Sequence, residues 1–587
     1  MNKQECDILN ALKQTSFKNQ RDLAENSGHS LGVVNRCVKI LIQKGFINEK
    51  MQLTEKAEKY FSKTSPKNAI ILAAGFGMRM VPINTEVPKG LLEIDGEPLI
   101  ERLIKQLHDV GITDIYVVVG FMKEKYEYLI DEYGVELIVN SEYAAKNNLH
   151  SLKRVIKHLS NSYIVPSDIW CARNPFKKSE LYSWYMVSDE ICQESSVRIN
   201  RKEELVVVPK EMEGNTMIGI SYLVNEDAKL VKECVVKMCE DSKNDDAFWE
   251  ETLYQNDKMI IAANVVRASE VIEINTYEQL RELDGDSKQL QNEAIAILMK
   301  QMNVQENDVT NITVLKKGMT NRSFLFTVNN KKYIMRVPGE GTETLINRAE
   351  EAIVYQTVKS ERISDKVIFI DSKRGYKITE YWENARSCDS ENEEDLTKCM
   401  KKLREFHLKD LKVEHEFKIF EKIDFYESLW DGNTSVYKDY KRTKENVFSL
   451  ESYINKYVEK KTLTHIDAVP DNFLIVNNLD EEEVRLIDWE YAGMQDPHVD
   501  IAMFCIYAMY NRDEVERLID IYFEGQCSEE NRIKIYCYIA ACGLLWSNWC
   551  EYKRSLGVEF GEYSLRQYRY AKEYYKIAKQ EMEKREI

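Results

Sequence analysis

The segment Asn68–Leu92, NAIILAAGFGMRMVPINTEVPKGLL, is the most informative part of the first half of this chain. It opens with the apolar run Ala69–Leu72, whose length and composition are typical of a buried parallel strand. A glycine-rich turn follows, and glycines behind a strand let backbone N–H groups approach a phosphate closely. Arg79 and Lys89 then supply two positive charges, which would neutralise a triphosphate and the charge that develops on it during transfer. The segment therefore predicts a loop that binds a nucleotide at the end of a strand.

Strands and helices alternate behind this loop. Further apolar strands are predicted at Ile115–Val119, Val135–Val139 and Ser162–Val165, with helical stretches between them. This alternation predicts a doubly wound parallel sheet, in which ligands bind at the carboxyl ends of the strands. Asp168 follows the last of these strands, where a carboxylate would hold Mg²⁺ against the α-phosphate of a nucleotide. The alternative is that Asp168 caps the next helix.

The glycine turn and the Pro-Lys-Gly behind it resemble the signature loop of sugar-phosphate and choline-phosphate nucleotidyltransferases. More broadly, residues 68–284 resemble a bacterial CTP:phosphocholine cytidylyltransferase with a Rossmann-like fold. The resemblance implies CTP and phosphocholine as substrates and Mg²⁺ as a cofactor. It implies nucleotide contacts at Ala73, Ala74, Gly75, Gly77 and Asn148, catalytic roles for Arg79 and Lys89, and metal binding by Asp168.

One position departs from the family pattern. The family carries a second metal carboxylate near the end of the domain, in a Glu-x-Asp-type stretch, and here the stretch reads Glu273-Ile274-Asn275. An amide oxygen can coordinate Mg²⁺ but brings no charge. Three consequences stay open: Glu273 substitutes for the missing acid, the metal is held more weakly, or the transfer activity is reduced.

The first segment, Met1–Ser65, is predicted to form helices and a small wing. It resembles a winged helix-turn-helix, with Ser30–Lys39 as the recognition helix. Asn35, Arg36 and Lys39 are the side chains that could contact bases on DNA. The alternative is a degenerate winged domain that serves protein contacts or regulation.

A kinase-like small lobe is predicted in the second half of the chain. A glycine loop separates two strands, and the next strand carries Arg336 where protein kinases carry a lysine. Glu351, on the following helix, is predicted to pair with Arg336, and the alternative is a solvated helix charge. The residues predicted to contact the nucleotide are Gly318, Thr320, Asn321, Arg336 and Glu351.

The stretches HIDAVPDNF, from His465, and LIDWE, from Leu486, resemble the catalytic and metal loops of choline and aminoglycoside kinases. In such kinases an aspartate, here Asp467, positions the substrate hydroxyl and accepts its proton, while Asn472 and Asp488 would hold Mg²⁺ on the phosphates of ATP. Asp467 and Asn472 have the five-residue offset of kinase catalytic loops. His465 is predicted to brace the loop.

Three aromatic residues near the end of the chain are candidates for binding a cation. Trp546, Trp549 and Tyr552 are spaced by three residues and would share one helix face. Spacing alone is equally typical of a helix core, but residues 311–575 resemble bacterial choline kinases, which carry this Trp-x-x-Trp-x-x-Tyr pattern. The resemblance implies that the three rings bind choline by cation–π attraction.

The composition of the chain indicates a soluble protein of several domains and argues against a secreted or membrane protein. The chain has 587 residues, of which 44% are hydrophobic and 30% charged, as in soluble proteins of several domains. It shows no secretory signal, no membrane-length apolar run and no Cys-x-x-Cys pair among its thirteen cysteines, so we expect a cytoplasmic protein with no membrane insertion. The first 65 residues carry eleven basic and seven acidic side chains, a balance of +4. With a net charge of −17, the remainder carries −21, which argues against nucleic acid as its partner.

The sequence thus predicts a multidomain α/β and α+β protein. A winged helix-turn-helix at 1–65 precedes a doubly wound nucleotidyltransferase at 68–284 and a bilobal protein-kinase-like domain at 304–587, behind the polar connector Leu283–Asn303. The predicted function is CDP-choline synthesis: phosphorylation of choline by ATP, then transfer of a cytidylyl group from CTP to phosphocholine. Two alternatives stay open, namely a kinase and transferase for another amino alcohol or a sugar, and a choline-responsive DNA-binding regulator. No oligomeric state is predicted.

Overall fold

The chain folds into two compact units, Met1–Asn292 and Glu293–Ile587, in this computed structural model. The boundary between the units lies inside the predicted connector. The structure describes residues 1–14, 17, 19–83, 86–209, 211–315, 321–339, 342, 345–430, 432, 434–477, 482–555 and 560–585. Within these ranges, no helix has the length and apolar composition needed to cross a membrane.

The first 65 residues form a small helical domain with a wing. Its helices are α1 (Lys3–Gln14), α2 (Gln20–Ser27), α3 (Leu31–Gln43) and α4 (Glu55–Thr64). The Ser30 side chain accepts a hydrogen bond from the Val33 N–H and begins α3, and Gly45 follows the end of this helix with φ +73°. An antiparallel bridge between Ile47 and Leu53 closes the wing.

This winged domain packs against the rest of unit 1. Leu181 lies in the apolar core of the winged domain and is only 1% exposed. The Tyr182 hydroxyl donates to Asp7 Oδ1 at 2.8 Å, and the Asn161 amide donates to the Lys63 carbonyl at 2.7 Å. Residues 1–65 and the domain that follows them are therefore joined by buried and hydrogen-bonded contacts.

A mixed sheet forms the centre of unit 1. The strands of the unit are β1 (Asn68–Ala73), β2 (Glu93–Ile94), β3 (Glu97–Pro98), β4 (Ile115–Val119), β5 (Glu136–Val139), β6 (Ser162–Pro166), β7 (Ile169–Cys171), β8 (Trp184–Cys192), β9 (Val197–Ile199), β10 (Glu204–Val207), β11 (Gly214–Leu223), β12 (Tyr254–Gln255), β13 (Lys258–Val266) and β14 (Val271–Glu273). The main sheet has the order β5-β4-β1-β6-β11-β8-β13-β10-β9, with β12 beside β13. The four strands from β5 to β6 are parallel, as predicted, whereas β11 is antiparallel to both of its neighbours.

Helices cover both faces of the parallel part of this sheet. The further helices of the unit are α5 (Leu99–Asp109), α6 (Tyr128–Tyr133), α7 (Asn148–Val155), α8 (Asn225–Met238) and α9 (Tyr277–Leu283). Side chains alternate along β1, so Ile71 joins the cluster that contains Leu107 of α5, and Ile70 joins the cluster that contains Leu152 of α7. Burial on both faces explains the continuous apolar run of this strand.

Unit 2 combines a five-membered antiparallel sheet with a mostly helical part. Its strands are β15 (Thr310–Val314), β16 (Asn321–Val328), β17 (Lys331–Pro338), β18 (Val367–Ile370), β19 (Lys377–Glu380), β20 (Ala385–Ser387), β21 (Thr462–Thr464), β22 (Phe473–Asn477), β23 (Glu482–Leu486) and β24 (Gly493–Gln495). Its helices are α10 (Glu293–Met302), α11 (Arg348–Val358), α12 (Glu393–Leu408), α13 (Ile419–Ser428), α14 (Tyr440–Phe448), α15 (Glu451–Tyr457), α16 (His498–Tyr507), α17 (Arg512–Phe523), α18 (Glu529–Ser555) and α19 (Glu562–Glu583). Among the described residues, the small-lobe sheet has the order β15-β16-β17-β19-β18.

Helix α18 is the central helix of the large lobe. It is buried on all sides for most of its length, which matches its lack of a polar face between Ile533 and Cys550. It packs against α13, α16 and α19. The segment that carries the three predicted cation-binding rings therefore lies near the C-terminal end of a buried helix.

Candidate active sites

The predicted nucleotide loop of unit 1 begins where β1 ends. Ala73 and Ala74 are buried, whereas Gly75 is exposed. Gly77 has φ +67°, and a Cβ atom at this position would lie 2.7 Å from side-chain carbons of Lys89. Glycine is therefore required here, because it allows the left-handed turn and lets the Lys89 side chain cross the loop.

Lys89 and Arg79 converge on Asn275, and Lys89 also pairs with Asp168. The Lys89 ammonium donates to Asp168 Oδ2 at 2.9 Å and to Asn275 Oδ1 at 2.7 Å, and Arg79 Nη2 donates to the same Asn275 oxygen at 2.8 Å. The side chains of Lys89 and Asp168 are 12% and 14% exposed, so this ion pair is partly shielded from water. The fold thus gathers four residues that are far apart in the sequence into one cluster.

Glu273 joins this cluster from the adjacent strand. β14 pairs antiparallel with β7, which sets Glu273 opposite Ile169 and next to Asp168. Burial, and then the charge of Asp168, raise the pKa of Glu273. Asp168, Glu273 and Asn275 present the oxygen donors that Mg²⁺ takes together with phosphate oxygens and water. These side chains therefore fit a magnesium ion bound between the protein and a triphosphate.

Asn148, which is predicted to contact the nucleotide, begins α7 beside a buried carboxyl group. Its Oδ1 accepts a hydrogen bond from the Trp249 N–H at 2.8 Å. The next residue, Glu250, is 8% exposed and accepts a hydrogen bond from the Tyr185 hydroxyl at 3.2 Å. Burial raises the pKa of Glu250 to about 7. The sequence did not single out Glu250, because no local pattern separates it from its exposed neighbour Glu251.

Replacing Glu250 by Gln is expected to stabilise unit 1 in a pH-dependent way. A carboxyl group whose pKa is raised in the folded state loses stability as pH rises, because the unfolded chain ionises first, near pH 4.3. Gln resembles the protonated form, so the variant should match the wild type at pH 4 and exceed it by about 3 kcal/mol at pH 8. Urea unfolding at both pH values measures this difference.

The matched control is Glu251→Gln, which makes the same chemical change one residue further on. Glu251 is exposed and accepts a hydrogen bond from the Phe248 N–H at 2.9 Å. We expect no gain in stability that grows with pH for this variant. An equal gain at pH 4 and pH 8 for Glu250→Gln would contradict the assigned cause.

In unit 2, Arg336 lies in a buried ion network. Its Nη1 and Nη2 donate to the two carboxylate oxygens of Glu351 at 2.5 and 2.9 Å, and Nη2 and Nε donate to the Gly375 carbonyl at 2.9 and 3.2 Å. Although burial opposes ionisation, Arg336 lowers the pKa of Glu351 to about 2. Asp488 Oδ1 lies 3.9 Å from Arg336 Nη1. The structure therefore brings Arg336 and Glu351 together, and the pair fixes α11 against the sheet.

Of the other predicted nucleotide contacts in the small lobe, the structure describes only Asn321. Gly318 and Thr320 lie outside the described residues. Asn321 is buried, donates to Glu490 Oε2 at 2.8 Å and accepts from Arg348 Nη2 at 2.9 Å. Its side chain is thus bonded to protein groups, and the sequence identified neither Glu490 nor Arg348 as a partner.

The predicted catalytic loop joins β21 to β22 and is held by Asp500. The Asp500 carboxylate accepts hydrogen bonds from the Ile466 N–H at 2.7 Å and the His465 N–H at 3.0 Å. The Asn472 amide donates to Asp467 Oδ2 at 3.0 Å. Burial lowers the pKa of His465 to about 4, so its ring is neutral at pH 7, and its Nε2–H braces the loop by donating a hydrogen bond to the Ile487 carbonyl at 3.0 Å.

Asp467 and Asp488 give this loop a negative electrostatic potential. Burial, and then the charges of Asp488 and Glu490, raise the pKa of Asp467 to about 8. Asp488 is the second residue after β23, behind Ile487, and its backbone has φ +67°. Asn472 and Asp488 offer oxygen donors that fit Mg²⁺. Within the described part of the chain, no group of three or more His, Cys, Asp or Glu side chains is arranged to hold a metal.

The predicted cation-binding rings lie on α18. Trp546 and Trp549 are buried and meet edge to face, with their ring centroids 5.5 Å apart. Trp546 also meets the Tyr491 ring at 5.7 Å. Tyr491 lies three residues beyond Asp488 in the chain, so this ring contact joins the aromatic face to the predicted metal loop. Tyr552 is half-buried one turn beyond Trp549.

Three stretches of the chain match models of protein families. Residues 1–48 match the winged helix-turn-helix DNA-binding family, residues 69–175 match the MobA-like NTP transferase domain, and residues 312–541 match choline/ethanolamine kinase. Members of the two catalytic families use nucleoside triphosphates. The predicted succession of a winged helix, a nucleotidyltransferase and a kinase-like domain is confirmed.

The chain is also similar to characterised proteins. It is 30% identical over 220 residues to choline-phosphate cytidylyltransferase of Streptococcus pneumoniae, a match that spans 37% of this chain and 96% of that protein. It is 28% identical over 265 residues to protein LicA of Haemophilus influenzae, spanning 42% of this chain and 95% of that protein. A 27% identity over 231 residues to 2-aminoethylphosphonate cytidylyltransferase of Lancefieldella rimae spans 38% of this chain and 94% of that protein.

Proposed function

This chain belongs to the choline-phosphate cytidylyltransferase family and carries a choline/ethanolamine kinase domain behind the transferase, and we propose that it converts choline to CDP-choline. The observation that carries the proposal is the contact of Trp546 with Tyr491, which lies three residues beyond Asp488. This arrangement supports a site that binds a cation and transfers a phosphoryl group to it. All thirteen cysteines are free thiols, and we propose the reducing cytoplasm as the compartment.

In the kinase step, the choline hydroxyl attacks the γ-phosphorus of ATP and ADP leaves. Asp467 orients the hydroxyl and accepts its proton, and the positive charge of choline favours the ionised form of this carboxyl group. Asn472 and Asp488 would hold Mg²⁺, which neutralises charge on the phosphates when bound. Arg336 acts by fixing Glu351 and the position of α11, since most of its donors are already engaged.

In the transferase step, a phosphate oxygen of phosphocholine attacks the α-phosphorus of CTP and pyrophosphate leaves. Lys89 and Arg79 lie where they would neutralise the negative charge that develops on the triphosphate. Asp168, with Glu273 and Asn275 beside it, would hold Mg²⁺. The backbone at Gly75 and Gly77 would approach the phosphates, and Asn148 would contact the base.

The test is incubation of the purified chain with choline, ATP, CTP and Mg²⁺, followed by mass detection of the products. We expect phosphocholine first and CDP-choline second. Parallel reactions with ethanolamine and with 2-aminoethylphosphonate in place of choline and phosphocholine identify the preferred acceptor. Absence of both phosphocholine and any other phosphorylated amino alcohol would overturn the kinase assignment, and absence of CDP-choline from supplied phosphocholine would overturn the transferase assignment.

Replacing Asn275 by Asp is expected to lower the Mg²⁺ concentration that half-saturates the transferase step. The change adds a negative charge at the oxygen that now accepts from Lys89 and Arg79, and ligand charge raises the affinity of oxygen sites for divalent cations. A decrease of about 10-fold is expected, measured as the initial rate of CDP-choline formation against Mg²⁺. Asn275→Ser serves as the uncharged control. An unchanged Mg²⁺ dependence in Asn275→Asp would point to Glu273 as the second ligand.

A second candidate function is DNA binding by the winged domain. Asn35, Arg36 and Lys39 lie on the exposed side of α3, and the turn of the wing at 48–50 is also exposed. These positions support insertion of α3 into a major groove. Anisotropy measured on selected duplexes tests this function, with Lys39→Ala expected to weaken binding and to reduce its salt dependence.

A further inference from the structure

The aromatic face of α18 already holds a positive charge that belongs to the protein. The Lys553 ammonium lies 5.6 Å from the centroid of the Trp549 ring and 6.0 Å from that of the Tyr552 ring. These two rings are among the three that are predicted to bind the choline cation. Both distances are within or at the limit of the range in which a cation interacts favourably with an aromatic face.

Lys553 differs from an ordinary surface lysine in its surroundings. It is only 9% exposed. Among the described residues, none accepts a hydrogen bond from its ammonium or forms an ion pair with it within 4.0 Å. Burial lowers the pKa of Lys553, and the charge of Glu490 opposes this effect. An ammonium that has left water is thus stabilised by ring faces and by a more distant carboxylate.

The neighbouring groups form an enclosure that suits a cation. Phe560 meets the Trp549 ring with centroids 5.1 Å apart, and Trp546 meets it at 5.5 Å. The Trp549 indole N–H is buried and has no hydrogen-bond partner among the described residues. Lys553 belongs to the last turn of α18, so a change of its side-chain rotamers can carry the ammonium toward solvent without moving the helix.

We propose that Lys553 is a tethered competitor, whose ammonium occupies the cation position on Trp549 and Tyr552 until the substrate cation displaces it. The inference rests on the proposed kinase function and concerns the regulation of its acceptor site. Displacement exchanges a strongly hydrated primary ammonium for a substrate cation that the rings retain. The Lys553 ammonium and a substrate cannot occupy the enclosure at the same time. The apparent affinity for every acceptor is therefore reduced by the same factor, which is set by the fraction of molecules whose enclosure is free.

The test compares Lys553→Met and Lys553→Gln with the wild type. We expect the KM for choline to fall by about 3- to 30-fold in both variants, the range that one cation–π contact supports, while kcat stays within about 2-fold. Lys553→Arg keeps a cation and should keep a high KM. Lys422→Met is the matched control, because Lys422 is also partly buried over a ring, 5.2 Å from the Phe425 centroid, on α13. Its KM should be unchanged.

A neutral analogue separates displacement from simple repulsion. 3,3-Dimethyl-1-butanol has the shape of choline without its charge, so a fixed charge at Lys553 would not repel it, whereas an ammonium that fills the site would still exclude it. We expect its inhibition constant against choline to fall in Lys553→Met by the same factor as the KM. An effect on charged acceptors alone, or an unchanged or raised KM, overturns the proposal.

Calorimetric titration with choline distinguishes this inference from the proposed function. Tighter choline binding in Lys553→Met and Lys553→Gln, without phosphorylation by any form of the chain, would support the tethered competitor and overturn the kinase function. Phosphorylation by the wild type with equal choline affinity in all variants would support the kinase function and overturn the tethered competitor. Thermal unfolding of each variant shows whether the fold is retained, and Lys553→Gln provides the answer if Lys553→Met is destabilised.

Discussion

Replacing Asp467 by Asn is expected to reduce the rate of phosphocholine formation by about 10²- to 10⁴-fold. Asn has nearly the shape of Asp and can keep a hydrogen bond to the Asn472 amide, which now lies 3.0 Å from Asp467 Oδ2. It cannot accept the proton of the choline hydroxyl or balance the charge of the bound cation. The expected loss therefore reports the chemistry of the carboxylate and not a change of the loop. The measurement is the initial rate of phosphocholine formation at saturating ATP.

Two controls accompany this variant. Asp471→Asn makes the same change four residues further along the loop, where the carboxylate is exposed and accepts from the Tyr507 hydroxyl at 2.7 Å. It should keep its rate within about 3-fold. Asp467→Asn should also make CDP-choline from supplied phosphocholine at the wild-type rate, because Asp467 belongs to unit 2. A rate above a tenth of the wild-type value for phosphocholine formation would remove Asp467 from the role of base.

The parts of this protein that the sequence predicted are those governed by local pattern. The apolar runs of β1 and β4 are visible because both faces of each strand are buried, and the capping of α3 by Ser30 follows from the preference of helix ends for a hydroxyl group. The glycine turn and the strand ends likewise indicated Lys89 and Asp168 as site residues. Their mutual contact at 2.9 Å, across 79 residues, is a consequence of the fold that no local pattern contains.

The parts that the sequence did not predict depend on tertiary burial. Glu250 and Lys553 are charged residues in helical or turn segments, and polar patterning predicts such residues to be exposed. Their burial follows from how α7 meets the segment of Trp249, and from how the end of α18 lies under Phe560. The antiparallel pairing of β11 was missed for a similar reason, since strand direction depends on the path of the chain between strands. Buried charged side chains such as these contradict the local sequence pattern. The proposed substitutions of Glu250 and Lys553 test what they do.

Replacing Asp168 by Asn is expected to reduce the rate of CDP-choline formation from supplied phosphocholine and CTP by about 10²- to 10⁴-fold. The change removes the negative charge that now pairs with the Lys89 ammonium at 2.9 Å and that would hold Mg²⁺ against the α-phosphate. Charge stabilisation by a bound metal contributes several kcal/mol in the transition state, which corresponds to a loss of this size. The shape of the side chain and its place after β6 are retained.

The control for this variant is Asp189→Asn, in the same unit. Asp189 is exposed and accepts a hydrogen bond from the Ala268 N–H at 3.0 Å, an acceptor role that Asn can keep. Its rate should stay within about 3-fold of the wild type. With choline, ATP and CTP supplied together, Asp168→Asn should accumulate phosphocholine, because this variant blocks the cytidylyl transfer. Asp467→Asn should accumulate no intermediate, because it blocks the phosphorylation of choline. Equal loss of both products in Asp168→Asn would contradict the division of labour between the two sites.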